Sequence, residues 1–419
     1  MIRNRLLWLV SMLLTLGMLS ACHEKNDVVE VVEEPDSSHT LLIYMIGDNS
    51  LSRYCEQNTK SSIKGLLESP KPLNLLIYED SYKSGDEKKG TPVLFRLKRN
   101  AVDKHKMDTI YLKKYDEDWD STNTDVMLQV MTDAFGQYNT EVKGLELWSH
   151  GMGWVPSGVV ETYLSRPSAE DEPATRASQW IGEDHGVHMD IWTLRETLEK
   201  LPHLDYISFD ACHMGQAEVA YELRGVADYM MGCPTEILEA GLPYQAMMRS
   251  LSTCQDKSSL RNALKMVVDD FADFYGGVGK GGEGTFGLTD LREMEEVRAA
   301  YKGLRETYAD RVQLLDEHCY TYEGYITHYG RSSMGARFYF YDLLDAARFF
   351  AGADTLGTSF AQLEAALNKA VVKEYHTSSF LGISPIRGCG LGVALPEMFQ
   401  ASNNPRSLRA GYAKVQWEQ

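Results

Sequence analysis

Five short, largely apolar runs, each ending in a polar or glycine-bearing turn, constrain this chain more than any other feature. They are Leu41–Ile46, Leu73–Tyr78, Leu145–Trp148, Tyr206–Phe209 and Tyr229–Met231. Runs of this length with little alternation suit strands buried on both faces. Helical stretches are expected between them: Leu51–Leu67, closed by Pro70; Asn123–Tyr138, with Val126, Val130 and Ala134 at helical spacing; Asp190–Leu201, capped by Asp190; and Gln216–Leu223. Strands alternating with helices argue for an α/β fold, a mainly parallel sheet with helices on both faces. Ligands bind such sheets beyond the carboxyl ends of the strands. His150 and Cys212 both fall there, each just after a core run.

The remainder reads as follows. Thr91–Leu97 alternates enough for an antiparallel strand. Leu164–Gln179 holds two prolines, several acids and almost nothing apolar, so it reads as an exposed loop. Beyond Gly241, strands are expected at Thr285–Leu291, Arg337–Leu343 and Leu391–Leu395. Helices are expected around Leu260–Tyr275, Glu293–Asp310 and Leu356–Val372. Gly276–Gly287 is glycine-rich without a phosphate-loop pattern and reads as a loop. The organisation expected is a leader at 1–21, a tether at 22–39, a catalytic domain at 40–250, and a mixed α/β C-terminal part of the same unit at 251–419.

The leader expectation rests on Arg3 and Arg5 followed by the apolar stretch Leu6–Met18, which is too short for a comfortable membrane span. Leu19-Ser20-Ala21-Cys22 resembles the bacterial lipoprotein cleavage box, in which the cysteine is acylated. Several acyl chains on Cys22 would anchor the protein to the cell envelope. Residues 23–39 are polar and acidic, a composition suited to a flexible tether. The chain carries a net charge of −18; removing Arg3 and Arg5 with the leader takes it to −20. That field repels polyanions, so nucleic acid is not an expected partner.

Chemistry concentrates at His150 and Cys212. A thiol becomes a strong nucleophile only as a thiolate, which needs a nearby base or a favourable field. Cys212, placed between a strand and a helix, would feel the helix N-terminus. His150, on a neighbouring strand end, could take the thiol proton and return one to a leaving amine. The N–H groups of Gly151 and Cys212 could form an oxyanion hole. The other cysteines are scattered, with no CxxC pair or zinc-ligand spacing.

Ser149-His150-Gly151 after one hydrophobic strand and Phe209-Asp210-Ala211-Cys212 after the next resemble the clostripain family of cysteine peptidases, in the caspase-like clan with gingipain and legumain. Leu42-Ile43-Tyr44-Met45 with Asp48-Asn49, Pro234-Thr235-Glu236 with Gly241-Leu242-Pro243-Tyr244, and Tyr341-Asp342-Leu343 add to the likeness over residues 40–345. The resemblance implies a caspase-like α/β/α sandwich and an endopeptidase with a His–Cys dyad: His150 the general acid/base, Cys212 the nucleophile. It also implies cleavage after arginine or lysine, with Asp210 as one pocket acid. Where related sequences carry a second acid this chain has Gly241-Leu242-Pro243, so Glu236 or Glu239 would have to substitute. A carboxylate capping the helix after Cys212 is the other role open to Asp210. Activation by internal cleavage between histidine and cysteine is implied too, and Arg176 in the acidic loop is the apt site. The substrates would be proteins or peptides. No cofactor is required by the sequence; no EF-hand loop is present, and calcium, associated with clostripain itself, stays open only through irregular acidic sites.

Two other readings compete. Asp184-His185-Gly186-Val187-His188 with Asp190 has the residue types of a zinc site, but matches no helical ligand signature. A surface lipoprotein that keeps the fold for binding and has lost turnover is the second.

Overall fold

In the computed structural model the described residues are 37–82, 91–115, 119–157, 181–277, 282–312, 315, 326–329, 340–381, 386–402, 405–417 and 419. The leader, residues 22–36 of the expected tether with Cys22, and the loop with Arg176 lie outside them; the tether's last residues are described, and buried His39 already opens the first strand. The strands begin with β1 (His39–Gly47), β2 (Asn74–Ser81), β3 (Val93–Arg99), β4 (Met107–Lys114) and β5 (Val142–Trp148), of which β1, β2 and β5 take up the first three apolar runs. A hairpin, β6 (Ile181–Asp184) and β7 (Val187–Met189), precedes β8 (Leu204–Asp210), β9 (Ala227–Gly232) and β10 (Thr285–Asp290). The short β11 (Tyr341–Asp342) pairs with β13 (Gly392–Val393), and β12 (Val371–His376) lies between them in sequence.

Nine strands form one sheet in the order β12-β10-β9-β8-β5-β1-β2-β3-β4. The central five, β2-β1-β5-β8-β9, are parallel, and both flanks are antiparallel. Because side chains alternate across a strand, the sheet has two apolar faces. Leu42, Tyr44, Leu145, Leu147, Ile207 and Phe209 pack on one side with the helices Thr124–Gly136, Ile191–Leu198 and Ala217–Leu223. Leu41, Ile43, Met45, Trp148, Tyr206 and Met231 pack on the other with Ser52–Glu68, Tyr244–Leu251 and Lys257–Tyr275. This is an α/β/α sandwich. Every residue of β1 is buried, as its uninterrupted apolar run requires.

The chain leaves β1 toward β2 and β3, then returns to place β5 on the opposite side of β1 and moves outward to β8 and β9. Reversing direction with the crossover helices on opposite faces is what a single crossover hand demands. The crevice at such a reversal is where open sheets bind ligands. It opens here between the ends of β1 and β5, with β8 alongside. Among the described residues no helix is long and apolar enough to cross a membrane.

Several local expectations are corrected. Val371–His376, read partly as the end of a helix, is the edge strand β12; the helix stops at Ala370, before the β-branched pair Val371-Val372. Of the stretch Arg337–Leu343 read as a strand, residues 337–339 lie outside the described residues; among the rest Tyr341–Asp342 is a strand, and Asp342 then caps the helix Leu343–Ala351 by accepting from the Asp345 N–H. Gly287, where the expected loop Gly276–Gly287 overlaps the expected strand Thr285–Leu291, lies inside β10, as the strand reading has it. A Cβ there would come within 2.7 Å of the Gly390 carbonyl oxygen, so the glycine serves close backbone approach. Strand β4 and helix Tyr244–Leu251 were not anticipated. Tyr111 on β4 is exposed, which dilutes the apolar signal of that edge.

Candidate active site

Parallel strands β5 and β8 are paired in register, Trp148 opposite Asp210. The ladder runs one residue further, with the Ser149 N–H donating to the Asp210 carbonyl at 3.3 Å. Two residues past that pair on each strand stand His150 and Cys212. The backbones converge closely: a Cβ on Gly151 would come within 2.9 Å of both the Ala211 Cβ and the Cys212 carbonyl oxygen. Glycine at 151 is thus a packing requirement of the histidine–cysteine edge.

After Cys212 the chain makes a left-handed turn at His213, φ +57°. The turn is sewn down by backbone. The His213 N–H donates to the Thr235 carbonyl at 2.8 Å and the Gly215 N–H to the Cys233 carbonyl at 2.9 Å. The His213 ring stacks on Phe340 at 4.4 Å, with Nδ1 3.1 Å from the Pro234 carbonyl. The following helix begins only at Ala217. A helix field fades within its first turn, so the expected activation of Cys212 by a helix N-terminus is not the local arrangement. A backbone donor, the Ile237 N–H, lies 3.4 Å from the sulfur instead.

His150 sits at the mouth of the crevice with its side chain 15% exposed. Its Nε2 lies 2.9 Å from Ser50 Oγ, beyond β1, and 3.9 Å from Glu183 Oε2, on β6. Burial pulls its pKa below the usual histidine value, and the Glu183 carboxylate opposes that pull. The segment is braced from three directions. Ser149 Oγ donates to the Ile46 carbonyl at 2.9 Å, Asn49 Nδ2 donates to the carbonyls of Ile46 (2.9 Å) and Glu183 (2.7 Å), and the Gly182 N–H donates to the His150 carbonyl at 3.0 Å.

Asp210 does not cap the helix after Cys212. Its Oδ2 accepts from the Tyr244 hydroxyl at 2.8 Å and the Leu242 N–H at 3.3 Å. Gly241, at φ +64°, lies so close that a Cβ would sit 2.6 Å from the same oxygen, and its carbonyl accepts from Tyr275 at 2.7 Å. Only 5% of Asp210 is exposed. Burial pushes its carboxyl up to about 6, against the pull of the two donated hydrogen bonds. Behind it, fully buried Glu146 is pushed well above the ordinary carboxyl range by burial and then by Asp210. The other two expected pocket acids stand differently. Glu239 is on the surface, 63% exposed, 3.5 Å from Arg53 and bonded by the Tyr54 hydroxyl. Glu236 is buried.

The zinc-like segment is the β6–β7 hairpin, with His185 and Gly186 at positive φ in its turn. Asp48, Asp184 and His185 are the only group of three metal-ligand residues gathered within 4.8 Å among the described residues. Their chemistry is already engaged: Asp184 accepts from the Ser121 N–H at 2.6 Å and His185 Nε2 pairs with Asp48 at 2.8 Å. A trio with one nitrogen donor does not fit calcium, which takes six to eight oxygens. His188 faces His150 instead, and Asp190 accepts from the Ser157 N–H at 2.8 Å.

A sequence profile of the clostripain family matches residues 43–384. The chain belongs to the clostripain family. It is a cysteine peptidase of caspase-like architecture, and the zinc-hydrolase reading gives way to that membership. Among solved structures, an inactive zymogen C11 protease from Parabacteroides distasonis aligns with a TM-score of 0.68 at 26% identity, over 92% of this chain and 98% of that one. A secreted C11 cysteine protease from Bacteroides thetaiotaomicron, in complex with an irreversible peptide inhibitor, aligns at 0.67 and 25% identity, over 91% and 98%. A second secreted C11 cysteine protease from that organism, iotapain, aligns at 0.69 and 20% identity over 92% and 99%, a likeness of fold. A search of curated proteins found no match. Ser50, Glu183 and Ile237 are the peptidase's site neighbours that sequence reasoning missed, and Tyr244 entered only as part of a family stretch, without its role at Asp210. Glu146, an acid inside a core run, is the anomaly that could have signalled the buried carboxylates.

Proposed function

We propose that this peptidase is an envelope-tethered endopeptidase that cuts after arginine or lysine, with Cys212 as nucleophile and His150 as general base and acid. The observation that supports the reading is the in-register pairing of β5 and β8, two residues beyond which positions 150 and 212 follow on adjacent strand ends at the topological switch. In the first step the Cys212 thiol proton passes to His150 and the sulfur bonds to the scissile carbonyl carbon. The oxyanion draws on the N–H groups of Gly151 and Cys212. The imidazolium then returns its proton to the leaving amine as the C–N bond breaks. Water, deprotonated by His150, releases the acyl group and restores the thiol.

A basic preference is supported by Asp210, the carboxylate two residues before the nucleophile, which would gain a full counter-ion from a bound guanidinium or ammonium. That the inhibitor of the Bacteroides relative is a peptide supports a peptide substrate. That the Parabacteroides relative was solved as an inactive zymogen supports activation by cleavage, for which Arg176 is the site we propose. Lipid on Cys22 would hold the mature protein at a membrane face.

A peptide-library digest with wild type and Cys212→Ala tests nucleophile and specificity together. Cleavage after basic residues by wild type alone is expected; cleavage by both proteins, or none by either full-length or processed wild type, overturns the reading. N-terminal sequencing of active protein should find Ala177 as a new terminus, and full activity in an uncut chain would refute processing. Metabolic labelling with a fatty acid should mark the protein and be lost in Cys22→Ser.

A further inference from the structure

The histidine has two neighbours that its assigned role does not use. Ser50 Oγ lies 2.9 Å from Nε2 and Glu183 Oε2 lies 3.9 Å from the same nitrogen. With both on Nε2, Nδ1 is the nitrogen left to exchange a proton with the Cys212 thiol. Glu183 is not placed by chance packing. Its N–H donates to Ser149 Oγ at 3.1 Å, its carbonyl accepts from Asn49 Nδ2 at 2.7 Å, and its predecessor's N–H bonds the His150 carbonyl at 3.0 Å. Gly182, at φ +85°, lets β6 press against Ile46, where a Cβ would come within 2.5 Å of Cδ1. The hairpin is therefore clamped to the ends of β1 and β5, with an acid directed at the histidine.

We propose that Glu183 is a positioning residue for the peptidase reaction: its carboxylate stabilises the His150 imidazolium, while Ser50 holds the Nε2 edge so that Nδ1 faces the nucleophile. The inference rests on His150 acting as the base. An opposite charge within about 4–6 Å favours the charged form of a titrating group, commonly by one unit or more. Among the described residues, the titratable groups that act on His150 are Glu183 from β6 and His188 from β7. His188, held down to about 3 by burial and then by His150, is neutral across the working range and adds no competing charge. Glu183 is thus the acid that decides how long the imidazolium survives as pH rises.

The test is the pH profile of kcat/KM on a fluorogenic arginine peptide, and of Cys212 alkylation by iodoacetamide, for wild type, Glu183→Gln, Ser50→Ala and His150→Ala. In Glu183→Gln the alkaline limb of the kcat/KM profile should move down by about one unit, with kcat reduced about tenfold and KM little changed, while alkylation, which needs only the thiolate, should keep its high-pH plateau. Ser50→Ala should lower kcat by a few-fold without moving the limb. An unmoved limb in Glu183→Gln, with melting temperature preserved, would overturn the proposal while inactivity of His150→Ala left the base assignment standing. Full activity in His150→Ala would sink the base assignment itself.

Discussion

The two halves of the catalytic edge are held by different mixes of bond. On the cysteine side the turn after β8 is fastened by backbone groups: the His213 and Gly215 N–H groups on the Thr235 and Cys233 carbonyls, and the Ile237 N–H on the sulfur. On the histidine side two backbone bonds, Ser149 N–H to the Asp210 carbonyl and Gly182 N–H to the His150 carbonyl, are joined by a larger set of side chains: Asn49, Ser149, Ser50 and Glu183, from three separate stretches of chain. Backbone hydrogen bonds do not depend on residue identity, whereas each side-chain bond is one substitution from being lost. The nucleophile's place should therefore tolerate change around it, and the base's should not.

The largest effect expected is at the reacting atom itself. Cys212→Ala should lower kcat/KM by about 10⁴-fold or more, with its fold intact by circular dichroism; a smaller loss would mean the cysteine half is not the chemical one. Next, Asn49→Ala removes donors to the Ile46 and Glu183 carbonyls and the acceptor of the Leu51 N–H. It should cost about 2 kcal/mol of stability and about tenfold in kcat, measured by denaturant melts and steady-state kinetics. A Thr235 counterpart should behave oppositely. Thr235→Ala loses hydroxyl bonds to Thr285 and Glu236 but keeps the carbonyl that holds His213. It should lose about 1 kcal/mol and leave kcat within about twofold; a tenfold fall would break the comparison.

The substrate pocket gives a sharper version. Gly241→Ala would press a methyl into Asp210 and force a residue with a side chain to φ +64°. It should raise KM for arginine peptides about tenfold and leave peptides with a neutral residue at that position within about twofold. The smallest effect expected is a pH dependence. Asp210, raised to about 6, is charged above that pH and neutral below it, so attraction for a basic side chain is present above pH 6 and fades as pH falls through it. KM for arginine peptides should rise about threefold between pH 7 and pH 5.5, and Asp210→Asn should abolish that rise.

The sheet was readable because its signal is local. Leu41–Ile46, Tyr206–Phe209 and their fellows declare themselves by unbroken apolarity, and the turns after them by glycine and acid. The site was readable in part for the same reason: His150 and Cys212 each close such a run. The rest was not. Glu183 lies 33 residues from His150 in sequence, in a segment whose histidines and acids suggested a metal. Asp210 looked free to cap a helix, until Tyr244 and Leu242 arrived from beyond β9. Strand β12 ended a helical pattern with alternating polar residues, since an edge strand has little apolar face to advertise.

Sequence by itself determined which segments are strands at the centre of the sheet, which two residues stand at the critical ends, and, through its motifs, the family. Tertiary structure decided which side chains surround them: that the thiol meets a backbone N–H rather than a helix end, and that the imidazole meets a serine and a glutamate. The reason is range. Burial periodicity and turn chemistry are written within a few neighbouring residues, whereas the field at a catalytic atom is set by groups brought within about 4 Å from anywhere in the chain.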